Sequence, residues 1–194
     1  MTPRDYQTSA ENAICHEWDT VTSTAAVLPT GTGKTVLFAN VIKRRLPKRA
    51  LVIAHREELI WQARNKIERF ANTSCGIEMA ELYVNNSLFG ETPVVVSTIQ
   101  TLNSPWGDRH RMGRFKPTDF DTLIIDECHH ATADSYRRVI DYFRQNPNLK
   151  VLGVTATPDR ADEEALGQVF DSVAFDYEIL DAIHDGWLVP IEQQ

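Results

Sequence analysis

The segment of this chain best suited to chemistry is a glycine-rich turn that ends in a lysine and a hydroxyl group. Residues 28–35 read Leu-Pro-Thr-Gly-Thr-Gly-Lys-Thr, after a short apolar run and before an amphipathic stretch. Glycines let backbone amides approach phosphate oxygens, and a following helix adds N-terminal N–H donors and its dipole. The turn therefore predicts a nucleoside triphosphate site, in which Lys34 pairs with the β- and γ-phosphates and Thr35 places its hydroxyl on Mg²⁺.

The four residues before the lysine would supply the backbone donors of that site. They are Thr30, Gly31, Thr32 and Gly33. The strict phosphate-loop pattern has a glycine where this chain has Leu28, so the match is imperfect. The alternative is an ordinary tight turn with a surface lysine, which the flanking strand and helix patterns disfavour.

Two adjacent acids at the end of an apolar run could complete such a site. Residues 122–127 read Thr-Leu-Ile-Ile-Asp-Glu. Adjacent side chains of an extended strand point to opposite sides, so we expect Asp126 to face the metal while Glu127 orients the attacking water or acts as general base. A solvated strand end is the alternative for the acids alone, and the phosphate loop makes it less plausible. Cys128, His129 and His130 follow, but without matched partners they give little support for a zinc site.

The composition describes one soluble globular domain. The chain has 194 residues, 42% of them hydrophobic and 24% charged, which is enough apolar material for a core. No apolar run approaches the roughly 20 residues of a membrane span, and the N-terminus lacks the apolar stretch of a signal peptide. The three cysteines have no paired spacing and predict free thiols in a reducing compartment. We therefore expect an intracellular protein, cytoplasmic or associated with the nucleoid.

The net charge of −7 disfavours a domain that coats nucleic acid with a broad basic surface. A local track for nucleic acid is still compatible with it, because the net charge averages over all faces. Two basic clusters could contact phosphates or could be solvated helix ends and loops. The first consists of Lys43, Arg44, Arg45, Lys48 and Arg49, and the second of Arg109, Arg111, Arg114 and Lys116.

Short apolar runs alternate with amphipathic stretches along the chain. The runs, typical of strands buried on both faces, are residues 25–29, Ala50–Ala54, Val94–Thr98, Thr122–Asp126 and 151–155. Apolar residues recur at helical spacing in residues 34–46, 57–70 and 135–145. This alternation predicts an α/β fold of three layers, with a mainly parallel central sheet and helices on both faces. Ligands of such sheets bind at the carboxyl ends of the strands, where the turn and the acids both lie.

Residues 103–118 interrupt the alternation and predict an irregular, basic and mobile loop. No internal repeat, low-complexity tract or interdomain linker is evident in the sequence. We therefore expect residues 1–194 to form a single domain.

With these motifs in this order, the chain resembles the first motor domain of superfamily 2 helicases and translocases. The resemblance covers nearly all residues and rests on six segments, which together are highly specific. They are Arg4-Asp-Tyr-Gln7, Pro29-Thr-Gly-Thr-Gly-Lys-Thr35, Ala54-His-Arg-Glu-Glu-Leu59 with Gln62, Val96-Ser-Thr-Ile-Gln-Thr101, Asp126-Glu-Cys-His129 and Thr155-Ala-Thr-Pro158. Such helicases commonly lack the first glycine of the loop, so Leu28 fits the pattern. The resemblance implies a RecA-like P-loop domain that uses ATP and Mg²⁺ to move on or unwind nucleic acid.

The resemblance also implies roles for single residues. Arg4 and Gln7 match the adenine-reading motif, since a glutamine amide can pair with the N6 and N7 edge of adenine; an ordinary helix start is the alternative. His129 matches the residue that links the nucleotide site to the nucleic-acid side, or it is a packed histidine beside the sheet. Thr155 and Thr157 match the motif that couples hydrolysis to domain movement, or they end a strand before a proline.

Four further residues match segments that contact the backbone of nucleic acid in such motors, with capping of strand ends as the alternative. They are His55, Arg56, Thr98 and Gln100. The motif sequences Asp-Glu-Cys-His and Thr-Ala-Thr of this chain differ from the Asp-Glu-Ala-Asp and Ser-Ala-Thr motifs of RNA-remodelling DEAD-box proteins. The chain is more similar to the branch of restriction-enzyme motors and DNA-repair helicases, which favours DNA over RNA as the partner.

Motors of this kind need a second RecA-like domain, whose arginines stabilise charge on the γ-phosphate. No Gln-x-x-Gly-Arg-x-x-Arg pattern follows residue 158, so we expect the second domain to be absent and this domain alone to hydrolyse ATP slowly or not at all. Three other interpretations stay open: a regulatory module that binds ATP without motor action, an RNA helicase domain, and a small-molecule P-loop kinase. The Asp126–His129 and Thr155–Pro158 segments disfavour the kinase.

Overall fold

A computed structural model describes residues 4–54, 56–84, 91–156 and 166–189. The helices are α1 (Asp5–Glu17), α2 (Lys34–Arg45), α3 (Glu57–Ala71), α4 (Ile99–Asn103), α5 (Asp134–Phe143) and α6 (Ile179–His184). The strands are β1 (Ser23–Val27), β2 (Ala50–Ala54), β3 (Cys75–Glu78), β4 (Val94–Thr98), β5 (Pro105–Trp106), β6 (Arg109–His110), β7 (Thr122–Asp126), β8 (Lys150–Thr155) and β9 (Ser172–Asp176).

Seven of these strands form one parallel sheet in the order β3-β4-β2-β7-β8-β1-β9. The central strands are buried along their whole length because they are covered on both faces. Side chains of alternate residues enter two separate cores: Val52 packs with α1, α2 and α3, while Leu51 and Ile53 pack with α4 and α5. The predicted α/β fold with a parallel sheet between two helical layers is confirmed.

The parallel arrangement fixes where the site can form. All seven strands carry their carboxyl ends to one edge of the sheet, and β1 and β7 lie on either side of β8. The phosphate loop follows β1 and the acidic motif follows β7, so both motifs meet at this edge. The first basic cluster lies at the opposite edge: Arg45 donates to the Thr122 hydroxyl (2.7 Å), and Arg49 pairs with Glu91 (2.7 Å). These two arginines therefore brace the starts of strands.

Residues 103–118 differ from the irregular, mobile loop that the sequence predicts. They form the two-stranded β5–β6 hairpin and two short 3₁₀ helices, Arg111–Arg114 and Pro117–Asp119. Met112 and Phe115 are buried in the core beside α4 and α5. Their burial fixes the segment, because exposing both apolar side chains would cost several kcal/mol, at about 1.5–3 kcal/mol for each.

Among the residues that the structure describes, no helix is long and apolar enough to cross a lipid bilayer. The three cysteines are free thiols, as the sequence predicts.

Candidate functional site

The phosphate loop has the backbone geometry of an anion cradle. Gly31 and Gly33 have φ values of +87° and +84°, a region that side chains disfavour. Gly33 also stands immediately before α2, so the free N–H groups of the first turn of α2 face the space above the loop. A Cβ at Gly33 would lie 2.8 Å from Nε2 of Gln7, so a side chain there would push the Gln7 amide away from the loop.

Helix α1 holds the loop from the side. Nε2 of Gln7 donates to the Thr32 carbonyl at 3.0 Å, and the Tyr6 hydroxyl donates to the same oxygen. Oε1 of Gln7 accepts from the backbone N–H of Arg4 at 3.0 Å. Both ends of the Gln7 amide thus contact the backbone and Gln7 braces the loop, while its contact with adenine stays a prediction.

The two acids are arranged differently from the sequence expectation. Asp126 ends β7, but Glu127 has left-handed backbone angles (φ 52°, ψ 54°) and begins the 3₁₀ turn Cys128–Thr132. The expectation of opposite sides along one extended strand is therefore wrong, because the chain bends sharply between the two residues. The bend turns Glu127 toward the loop, where its Oε1 lies 3.0 Å from Nζ of Lys34.

Negative charge exceeds positive charge at this point. Burial raises the pKa of Asp126 to about 6, the charge of Glu127 adds to the shift, and Lys34 opposes it. Lys34 and, to a smaller extent, Lys66 lower the pKa but do not offset burial and the second acid, so a further cation would relieve the repulsion. The donors offered here, a carboxylate of Asp126 and a hydroxyl of Thr35, are the hard oxygen ligands that suit Mg²⁺ when waters and phosphates complete its shell.

A short chain of contacts leads away from the acids. Nδ1 of His129 lies 3.6 Å from Oε2 of Glu127 and 2.9 Å from the hydroxyl of Thr155. Thr155 ends β8, the strand between the loop and the acidic motif. The structure thus brings together three motifs: Lys34, the acidic motif with His129, and Thr155. Thr157, the second hydroxyl of the predicted coupling motif, lies outside the described residues.

Among the described residues, the predicted nucleic-acid contacts lie at or just after the carboxyl ends of the neighbouring strands β2 and β4. Arg56 and Gln100 are exposed and line one open groove of about 470 Å³. Arg56 also lines a second groove of about 470 Å³ that reaches Glu127 and His129. Thr98 is buried and caps α4, since its hydroxyl accepts from the Thr101 N–H at 3.1 Å. His55 lies outside the described residues.

Aromatic residues that the sequence did not single out surround the adenine-reading motif. The rings of Tyr6 and Tyr177 stack with centroids 4.7 Å apart, and Trp187 meets Tyr6 edge-on at 5.9 Å. The guanidinium of Arg4 lies 4.6 Å from the Trp187 ring. Tyr6 stands within the Arg4–Gln7 segment and could have been noticed there. Tyr177 and Trp187 are too far along the chain for any local pattern to connect them with it.

A family model described as type III restriction enzyme, res subunit, matches residues 1–160. The chain is 33% identical over 199 residues to the putative ATP-dependent helicase IRC3 of Saccharomyces cerevisiae, covering 95% of this chain and 28% of that protein. It is 28% identical over 200 residues to the type I restriction enzyme EcoAI endonuclease subunit of Escherichia coli, covering 97% of this chain and 23% of that protein. The chain therefore spans less than a third of the length of either relative.

A solved structure gives the same fold at lower identity. It is a nuclease-deletion mutant of the type ISP restriction-modification enzyme LlaGI in complex with a DNA substrate mimic. The TM-score is 0.69 at 19% identity, and the match covers 96% of this chain and 21% of that one. At this identity the likeness supports the three-layer fold with its parallel sheet.

Proposed function

Because the chain belongs to the type III restriction enzyme res-subunit family and is an N-terminal RecA-like domain of a superfamily 2 helicase, we propose that it is the ATP-binding half of a DNA helicase or translocase motor. The observation that carries the proposal is the 3.0 Å contact between Lys34 of the phosphate loop and Glu127 of the acidic motif. Residues from two different strand ends meet there, at the edge where such sheets bind nucleotides.

Different groups of this chain bind ATP and promote its hydrolysis. Amides of residues 30–35 and the Lys34 ammonium hold the β- and γ-phosphates. An incoming triphosphate competes with Glu127 for Lys34, which leaves the Glu127 carboxylate free to orient a water molecule and accept its proton. Thr35 and Asp126 would hold Mg²⁺, which supplies charge neutralisation at the phosphate oxygens when bound.

The remaining predicted residues surround this centre. Arg4 and Gln7 bind the adenine, with the Tyr6 ring beside them. His129, Thr155 and Thr157 couple the nucleotide to the rest of the motor, and the 2.9 Å contact between His129 and Thr155 supports this proposal. A hydrogen-bonded pair on adjacent strand ends can pass on a shift of Glu127 that follows hydrolysis.

We propose DNA as the track, bound locally along the ends of β2 and β4. Exposed Arg56 and Gln100 support it, together with the DNA complex of the structurally similar LlaGI enzyme. The greater length of the relatives leaves room for the second RecA-like domain, which would supply arginines to the γ-phosphate. The isolated chain then binds ATP and turns it over slowly.

The test is ATP hydrolysis by this chain alone and by a protein that joins it to a second motor domain. Each is assayed without nucleic acid and with single-stranded DNA, duplex DNA or RNA. The proposal predicts slow turnover by the chain alone and DNA-stimulated turnover by the joined protein. Turnover by the chain alone at the rate of the joined protein would contradict the need for a second domain, and stimulation by RNA alone would make the chain an RNA helicase domain.

A further inference from the structure

Two exposed aromatic rings stand at the carboxyl-end edge of the sheet, beyond the strand ends that Arg56 and Gln100 follow. Tyr83 follows β3, the edge strand next to β4, and Trp106 lies on the β5–β6 hairpin that follows α4. These two residues are 42% and 40% exposed, and their ring centroids are 5.5 Å apart. We call this pair of rings the aromatic ledge. It extends the row of segments at the ends of β2 and β4 by one more strand.

A buried ion cluster fixes the backbone beneath the ledge. Glu78, the last residue of β3, is fully buried, and its Oε1 accepts from Nε of Arg111 at 2.7 Å. Arg111 also donates to the carbonyls of Ala80 (2.6 Å) and Leu82 (2.8 Å). The Val84 N–H donates to the second oxygen of Glu78 at 2.7 Å. The turn that carries Tyr83 is therefore held from both sides.

Two guanidinium groups hold the rings of the ledge in place. Arg114 lies 4.7 Å from the centroid of Tyr83 and 4.8 Å from that of Trp106. Arg111 lies 4.2 Å from the centroid of Tyr83. Cation–π contacts of this kind are worth about 0.5–2 kcal/mol each, so the rings are ordered before any partner arrives. Ordered, exposed rings next to cations are the features with which proteins bind unpaired bases.

Stabilisation of the hairpin is the alternative role for these contacts. Hydrophobic stabilisation grows with the area removed from water, yet both residues keep about two-fifths of their surface exposed. The charge of the segment also points to an anionic partner. In a chain of net charge −7, residues 103–118 carry four cations and one acid. Arg111 and Arg114 pair with Glu78, so these residues together with Glu78 keep a surplus of two positive charges, and Arg109 is 71% exposed. The exposed rings and the local positive charge are both explained by a nucleic-acid partner.

We propose that the aromatic ledge is a stacking platform for the unpaired bases of a DNA strand, with Arg109 at its phosphates. The platform rests on the proposed function, because it lengthens the track assigned to Arg56 and Gln100. Bases stack on Trp106 and Tyr83 irrespective of sequence, since every base offers a π face. The ledge would thus hold the strand beyond β4, at the end of the track next to Arg56 and Gln100.

The test is binding of labelled oligo-dT to this chain, measured by fluorescence anisotropy over a range of salt concentrations. Replacing both rings (Tyr83→Leu with Trp106→Leu) keeps apolar bulk over the arginines and should weaken binding about tenfold or more, with an unchanged salt slope. Trp106→Phe keeps a ring and should retain most of the affinity. Arg109→Gln should make the fall of the logarithm of the binding constant with the logarithm of the salt concentration less steep, by about the amount that one phosphate contact contributes.

Trp61 provides the matched control, since it is also an exposed tryptophan (45%) beside an arginine, Arg64, at 5.8 Å. Trp61→Leu should leave oligo-dT affinity unchanged. Saturating oligo-dT should quench tryptophan fluorescence in the wild type and quench it less in Trp106→Phe, a signal that a purely structural role of the ring would not give. Thermal melting checks that each variant is folded.

The outcomes test the stacking platform separately from the proposed function. If Arg56→Ala weakens DNA binding while the double leucine variant binds like the wild type, the platform is overturned and the proposed function stands. If the wild type binds no DNA, both are overturned. Equal losses with duplex DNA would overturn stacking on unpaired bases, and losses confined to an RNA strand would overturn the assignment to DNA.

Discussion

Two acidic sites lie at the same edge of the sheet and differ in how their charges are balanced. Glu78, at the end of β3, is fully buried and faces two arginines, with Arg111 at 2.7 Å and Arg114 at 3.2 Å. Of the two acids at the end of β7, Glu127 contacts Lys34, and the pKa of Asp126 is raised to about 6 despite Lys34 and Lys66. The acid of the first site is fully paired by cations of the chain, and the second site has an excess of negative charge.

The difference separates a structural site from a binding site. Glu78 and its arginines order the turn and hairpin, because a buried acid persists only when its oxygens are paired. The Asp126 site tolerates a repulsion that the fold does not relieve. Such residual charge is typical of sites completed by a ligand, here the proposed Mg²⁺ with ATP.

The largest expected effect is on ATP turnover and comes from a substitution at the acidic site of Asp126 and Glu127. Glu127→Gln removes the group that accepts the proton of the attacking water, so ATP hydrolysis should fall about 10²–10⁴-fold. The rate of hydrolysis is measured as phosphate release by the protein in which this chain is joined to a second motor domain. Glu58→Gln, an exposed change in the groove next to Glu127, is the control and should leave the rate within a few-fold. Equal rates for Glu127→Gln and the wild type would favour an ATP-binding module without motor action.

A substitution at the Glu78 site should change the stability of the fold. Glu78→Ala leaves two arginines without their acid, and the free energy of unfolding should fall by about 3–5 kcal/mol. Urea unfolding followed by circular dichroism measures the change. Glu91→Ala removes an acid that is 48% exposed and pairs with Arg49, so it should cost about 1 kcal/mol or less. A loss at Glu78 no larger than at Glu91 would show that the buried cluster does not hold the fold.

The smallest expected effect is a gain of stability at Asp126. Its folded-state pKa of about 6 exceeds the ordinary value of 3.8, so the ionised carboxylate destabilises the fold. The penalty grows as the pH rises from about 4 to 6 and is constant above that range. Asp126→Asn should therefore raise the free energy of unfolding by about 1–3 kcal/mol at pH 7 and change it little at pH 4.

Urea unfolding at both pH values measures this gain. Asp141→Asn, an exposed substitution on α5, is the control. The same stability difference between Asp126→Asn and the wild type at pH 4 and pH 7 would show that the charge of Asp126 carries no penalty.

The sequence predicted the central elements of the fold well. The strands Ala50–Ala54, Val94–Thr98 and Thr122–Asp126 have the predicted bounds, because short, mostly apolar and β-branched runs are typical of strands covered on both faces. The edge strands β3 and β9 were not predicted: β3 has only four residues, and β9 is half-exposed. Residues 103–118 were misjudged as mobile because their anchor, Glu78, lies in another part of the chain.

The meeting of Lys34 with the acidic motif was predictable for a general reason. Both motifs follow strands of one parallel sheet, so their side chains reach the same edge. The left-handed backbone of Glu127 was not predictable, because glutamate rarely adopts it and only the turn into Cys128–Thr132 requires it. The bracing of Thr32 by Gln7 also depends on where α1 packs, which no local pattern encodes.

Binding of ATP with and without Mg²⁺ tests the role of the residual charge most directly. Isothermal titration of this chain with ATP is compared between the wild type, Asp126→Asn and the control Asp141→Asn. If the excess negative charge at β7 is a place for Mg²⁺, the metal should tighten ATP binding to the wild type and to Asp141→Asn, and Asp126→Asn should lose most of that gain. An equal effect of Mg²⁺ on all three proteins would contradict the assignment of Asp126 to the metal.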